Sequence, residues 1–102
     1  MYKHVVLWKL KEQVEGSTKK MLVSAVKQRL ESLPSVISEI IDFEVAVNIG
    51  DYGASFFDVS LISTFKNKDT FWAYTKYPEH DDVVAFIQSV QIAEHIVDYT
   101  KD

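Results

Sequence analysis

Cysteine is absent from the 102 residues, and that removes disulfide scaffolds, thiol nucleophiles and thiolate zinc sites together. Glycine is scarce. Gly16, Gly50 and Gly53 are the only three, each beside turn-forming residues, so no glycine-rich phosphate cradle is present. Proline occurs twice, as Pro34 and Pro78, too rarely for a polyproline or low-complexity chain. Basic runs are also missing. The 11 Lys and Arg stand against 15 Asp and Glu, for a net charge of −4. A nucleic-acid or anionic-membrane surface needs clustered cations and is not expected here. No apolar run approaches the length of a membrane span, and Met1-Tyr2-Lys3-His4 does not open like a signal peptide. A cytoplasmic location is the expectation.

What is present is a core. Apolar residues make up 47% of the chain and charged residues 25%, the balance of a folded domain. A chain of this length holds one core, so residues 1–102 are read as a single domain. Lys3 to Lys11 reads as a strand, with His4, Val6, Trp8 and Leu10 on one face and Val5 and Leu7 leading the other. Glu15-Gly16-Ser17 breaks it, with Ser17 as the expected helix N-cap. Leu22, Val26, Leu30 and Leu33 recur at helical spacing from Lys19 to Leu33, where Pro34 ends the helix. Val36 to Asn48 reads as a second strand with Ile37, Ile41, Phe43, Val45 and Val47 on its apolar face. Turn residues 50–55 lead to a third strand, Phe56 to Lys66, in which Phe57, Val59, Leu61 and Phe65 share a face. Asn67 caps a short helix to about Lys76. Pro78 opens another, to about Gln91, with His80, Val83, Val84, Ile87 and Val90 on one side. Glu94 to Thr100 reads as the last strand, with its facing left open.

Strand, helix, strand, strand, broken helix, strand is the order of two split βαβ units. That gives an α+β, ferredoxin-like βαββαβ protomer whose antiparallel four-stranded sheet has the first and third strands in the middle. Helices can cover only one face of such a sheet. The other would show Val5, Leu7, Ala46 and Ile62 among Glu44, Ser60 and Thr64. A second copy packed face to face would cover it, forming a homodimeric α/β barrel. A monomer with a wet sheet face is the alternative.

Three histidines carry the most versatile chemistry. His80 lies one turn into the helix after Pro78, on its apolar side. Tyr74 precedes the break, and His4 begins the face shared by Val6 and Trp8. An imidazole and a phenol beside an apolar cleft can polarise a carbonyl and move a proton near neutral pH. The remaining wall of the cleft would be Val6, Trp8, Leu22, Val26, Leu61, Val83 and Val84. The plainer alternative is that His80 satisfies a nearby backbone group. Glu79, His80, Asp81 and Asp82 do not make a metal site, because consecutive helical residues point apart; a solvated helix face explains them. Glu94, His95 and Asp98 read as surface or interface polarity, and Phe71, Trp72 and Tyr77 as an aromatic cluster at the helix break.

Five segments together resemble the Dabb family, the stress-responsive dimeric A/B barrel domains. They are residues 3–11, opening Lys3-His4-Val5-Val6, then Phe43 to Asn48, Phe57 to Phe65, Tyr74-Thr75-Lys76-Tyr77-Pro78-Glu79-His80, and Val97-Asp98-Tyr99. The resemblance implies a ferredoxin-like protomer that dimerises through its sheet. Family members range from proteins without assigned activity to a plant polyketide cyclase. By resemblance to the cyclase type, His80 would act as general base or acid, Tyr74 would hydrogen-bond the substrate oxygen, and His4 would assist orientation, with no cofactor or metal. Leu22 and Val26 depart from that type, which has aromatic residues there, so a different ligand is implied. Three functions follow as expectations: a small-molecule-binding or stress-associated domain without established catalysis, with a small hydrophobic carbonyl compound as candidate ligand; a cofactor-free cyclase, isomerase or lyase acting on a carbonyl compound; and a purely structural oligomer-forming module.

Overall fold

The computed structural model describes residues 1–102. Its elements in chain order are β1 (Tyr2–Leu10), β2 (Gln13–Val14), β3 (Ser17–Thr18), α1 (Lys19–Glu31), β4 (Asp42–Val47), β5 (Val59–Phe65), α2 (Lys68–Tyr74), α3 (Pro78–Val90) and β6 (Gln91–Thr100). The main sheet runs β4-β5-β1-β6, antiparallel throughout, with β1 and β5 in the middle. This is the expected ferredoxin-like α+β order. All three helices belong to one side.

Several boundaries differ from the expectation, each for a local reason. Thr18, not Ser17, caps α1, accepting from the Met21 amide at 3.3 Å. Ser17 is taken up in the small β2–β3 hairpin, opposite Val14. The hairpin turns through Glu15 (φ 42°) and Gly16 (φ 85°), two left-handed residues in succession, as the twist of a two-residue hairpin requires. The second strand starts at Asp42, six residues later than the alternation suggests. Val36, Ile37 and Ile40 instead send their amides back to the carbonyls of Leu33, Leu33 and Ile37, prolonging helical turns beyond α1. Ile37 is apolar because it fills the core, not because it alternates along a strand. The third strand begins at Val59, so Phe57 lies outside it and packs on His95, ring centroids 5.2 Å apart. The last strand starts three residues earlier than expected, at Gln91, directly after α3.

Where a rule is local and strong, the expectation holds. Asn67 caps α2 through a reciprocal pair of bonds, Asn67 Oδ1 from the Thr70 amide at 2.9 Å and Thr70 Oγ1 from the Asn67 amide at 3.1 Å. Pro78 sits in the first turn of α3, where its missing N–H costs nothing.

Val6, Trp8 and Leu10 of β1, Val59, Leu61 and Phe65 of β5, Leu22, Val26 and Leu30 of α1, and Val83, Ile87 and Val90 of α3 form the buried core with Phe71 and Tyr74 of α2. Register settles the facing of β6. Ile96 pairs with Val6, and Asp98 with His4, on the helix side; Val97 pairs with Val5, and His95 with Leu7, on the open side. The open side carries partly exposed Leu7, Ile62, Val97 and Tyr99. No helix in the chain is long and apolar enough to cross a membrane.

Candidate functional site

The break between α2 and α3 places the site. Tyr77 is extended because a residue before proline is driven from helical geometry, and this re-aims the chain so that His80 returns towards Tyr74. Their rings meet edge to face, centroids 4.6 Å apart. Tyr74 also packs against Phe65 at 4.9 Å and Phe43 at 6.2 Å. On the sheet side, His4 lies against Phe71 at 4.8 Å, and Phe71 stacks on Tyr2 at 5.0 Å. His4, Tyr74 and His80 thus surround one aromatic floor, as their sequence positions suggested.

Burial sets the protonation of the two α2–α3 groups in useful directions. Loss of water lowers the His80 pKa, the Asp81 carboxylate pulls it back in part, and His4 adds to the lowering. Asp81 Oδ1 stands 3.6 Å from His80 Nδ1, too far for a hydrogen bond, so Nδ1 is buried without a partner. The ring is neutral at neutral pH and can accept a proton. Burial alone pushes the Tyr74 phenol far up. It stays protonated and so keeps a hydrogen to donate.

His4 is held differently. Its Nδ1 lies 2.6 Å from Asp98 Oδ1, and Asp98 Oδ2 accepts the Tyr2 hydroxyl at 2.7 Å. Desolvation first, then the Asp98 hydrogen bond and charge, raise the Tyr2 pKa to about 12. Asp98 therefore orients His4 and fixes which ring nitrogen faces the interior. Sequence reasoning read Asp98 as surface or interface polarity; it is exposed, but its bonds to His4 and Tyr2 were not foreseen. The signal lay in Val97-Asp98-Tyr99, but it becomes readable only once β6 is placed in register on β1.

The wall residues are less concentrated. Val6, Val26, Leu61 and Val83 are buried core members, and Val84 is half-buried. Trp8 is turned aside, its Nε1–H donating to Glu94 Oε2 at 2.9 Å. Leu22 lines a different groove, between α1 and α3. The open pocket expected among His4, Trp8, Tyr74 and His80 is filled by side chains; Phe65 and Phe71 occupy its centre. His80 and His4 keep side-chain exposures of 18% and 13%, so both rings show an edge to solvent. His4 does so beside β6, where Ile96 on the helix-facing side is left 51% exposed. No three His, Asp or Glu side chains converge as a metal centre.

This geometry can be set against known proteins. No curated protein matches the chain significantly. A dimeric protein of unknown function with a ferredoxin-like fold, from Bacteroides fragilis NCTC 9343, is 30% identical with a TM-score of 0.84, over 98% of this chain and 95% of that one. A dimeric ferredoxin-like protein of unknown function from Thermobifida fusca is 22% identical with a TM-score of 0.83, over 98% and 90%. A hydroxynitrile lyase from Passiflora edulis is 15% identical with a TM-score of 0.83, over 99% and 93%; at that identity the likeness is one of fold. The model of the Stress responsive A/B Barrel Domain matches residues 2–101, and with that extent of agreement the chain belongs to the Dabb family.

Proposed function

We propose that the chain works as a homodimer, closing its open sheet faces into a barrel, and that each copy binds a small apolar carbonyl compound at His80 and Tyr74. One observation carries the binding reading: His80 Nδ1 is buried with no partner, beside a phenol that stays protonated. An unpaired buried ring nitrogen costs about 1–3 kcal/mol; with its proton on Nδ1, the imidazole recovers that cost by donating to the ligand's carbonyl oxygen beside the Tyr74 hydroxyl. The side chains that fill the cleft must part to admit such a compound, and the exposed stretch of β6 at Ile96 is the way in. Val6, Leu61, Val83 and Val84 supply the apolar wall. Dimerisation is supported by the apolar open face and by the Bacteroides fragilis relative, whose structure is described as dimeric.

Thermal unfolding against a panel of apolar ketones and aldehydes tests the binding reading. A compound at about 100 times its Kd adds about 2.7 kcal/mol of stability, a shift of roughly 11–22 °C for a domain of this size. His80→Ala, shown folded by circular dichroism, should abolish that shift. If no compound raises Tm, or the variant responds like the wild type, the reading fails.

A cofactor-free lyase, isomerase or cyclase is the second reading, and the His4–Asp98 contact at 2.6 Å favours it. A neutral imidazole (His80) would take a proton while the Tyr74 hydroxyl holds the carbonyl oxygen and His4, steadied by Asp98, orients the substrate. Loss of general acid–base catalysis costs about 10² to 10⁴ in rate, so His80→Ala should lower turnover of any substrate found by at least that lower figure.

A further inference from the structure

Arg29 is the only arginine in the chain, and it stands where a lysine would serve the helix equally well. It lies in the last turn of α1, where any cation suits the helix dipole. Its guanidinium is laid on the ring of Phe86 of α3, 3.9 Å from the centroid, a stacking that the planar group suits and an ammonium does not. No carboxylate comes within ion-pair distance of it, although Lys19 and Lys27 both have acidic partners. The stacked face is satisfied; the N–H edges are free.

Those edges border a groove of about 450 Å³ between α1 and α3, roofed at one end by the β2–β3 hairpin. Its apolar lining includes Val14, Met21, Leu22, Ala25, Phe86 and Val90. Glu15, at the hairpin tip, is its one acidic neighbour and is exposed. The volume suits a small organic ligand. A planar donor fork, ordered in advance over an aromatic ring at the rim of an apolar groove, matches a carboxylate with an apolar body.

We propose that the α1–α3 groove is a binding site for a small apolar monocarboxylate, with the carboxylate on the Arg29 guanidinium and the hydrocarbon between Met21, Leu22 and Phe86. The site is separate from the His80 cleft: neither His4, Tyr74 nor His80 lines it. It therefore stands or falls independently of the function proposed above.

Octanoate is the probe, with octanol as its uncharged counterpart, in titrations followed by two-dimensional NMR of the full chain. Saturable shifts should appear at Met21, Val14 and Phe86, and octanoate should bind more tightly than octanol. Arg29→Gln should weaken octanoate about tenfold or more, as expected for loss of a charge-assisted bidentate pair, and leave octanol unchanged. Met21→Glu, at a position 56% exposed and so harmless to the core, should weaken octanoate by repulsion even if the Arg29 variant disturbs the helix packing. Shifts centred on His80 and Tyr74, equal octanoate affinity in both variants and the wild type, or no saturation would each overturn the proposal.

Discussion

Removing water from around His80 works against its charged form, and this has a measurable consequence for the folded state. Its pKa is lowered from 6.5, with burial as the largest cause. Between that lowered value and the unfolded value the unfolded chain binds more protons, so stability rises with pH across the window. In the acid direction, the contribution is whole above about 6.5 and is lost as pH falls through the folded pKa. An NMR titration of the His80 ring should give a midpoint below 6.5, and His80→Gln should flatten this part of the stability–pH curve. A midpoint at or above 6.5 would contradict the burial argument. His80 and Tyr74 were legible in the sequence because Pro78 fixes both through short-range geometry. Asp98 was not, because its role depends on a partner 94 residues away.

Elements carry the residues to their places, and α2 does so through its cap. Asn67→Ala removes the bond from the Thr70 amide to Oδ1, leaving only the Asn67 amide's own bond to Thr70 Oγ1, and should cost about 1 kcal/mol, read as a drop in Tm of about 4–8 °C. No change in Tm would mean that the cap is dispensable. The fold class and strand order could be read from periodicity, since β1, α1 and α3 are long and regular. Two joints could not. In residues 36–41, Ile37 and Ile41 mimic strand alternation while the backbone makes turns. At the α3–β6 joint, Gln91 passes straight into the strand and Ile92 is the extra residue of a bulge, with Lys9 opposite Ala93 and Leu10 opposite Gln91. Neither turn continuation nor a bulge leaves a distinct hydrophobic period.

At the scale of the whole molecule, one sheet face has helices and the other has none. Val5, opposite Ile62 and Val97, and Leu7, opposite Ser60 and His95, mark its centre. Lys3, bonded to Thr64 Oγ1 at 2.7 Å, and Glu44 lie towards its margins. Val5→Lys should put a cation at that centre with only the apolar Ile62 and Val97 opposite it, which is costly to bury. Sedimentation should then find the wild type at twice 11.7 kDa and the folded variant at 11.7 kDa; a monomeric wild type would defeat the barrel. A last consequence concerns synthesis. His4 emerges from the ribosome 94 residues, and Tyr2 96 residues, before Asp98, which holds both. Over that interval the nascent chain carries an imidazole without its anchor, and the site can assemble only after β6 has left the exit tunnel.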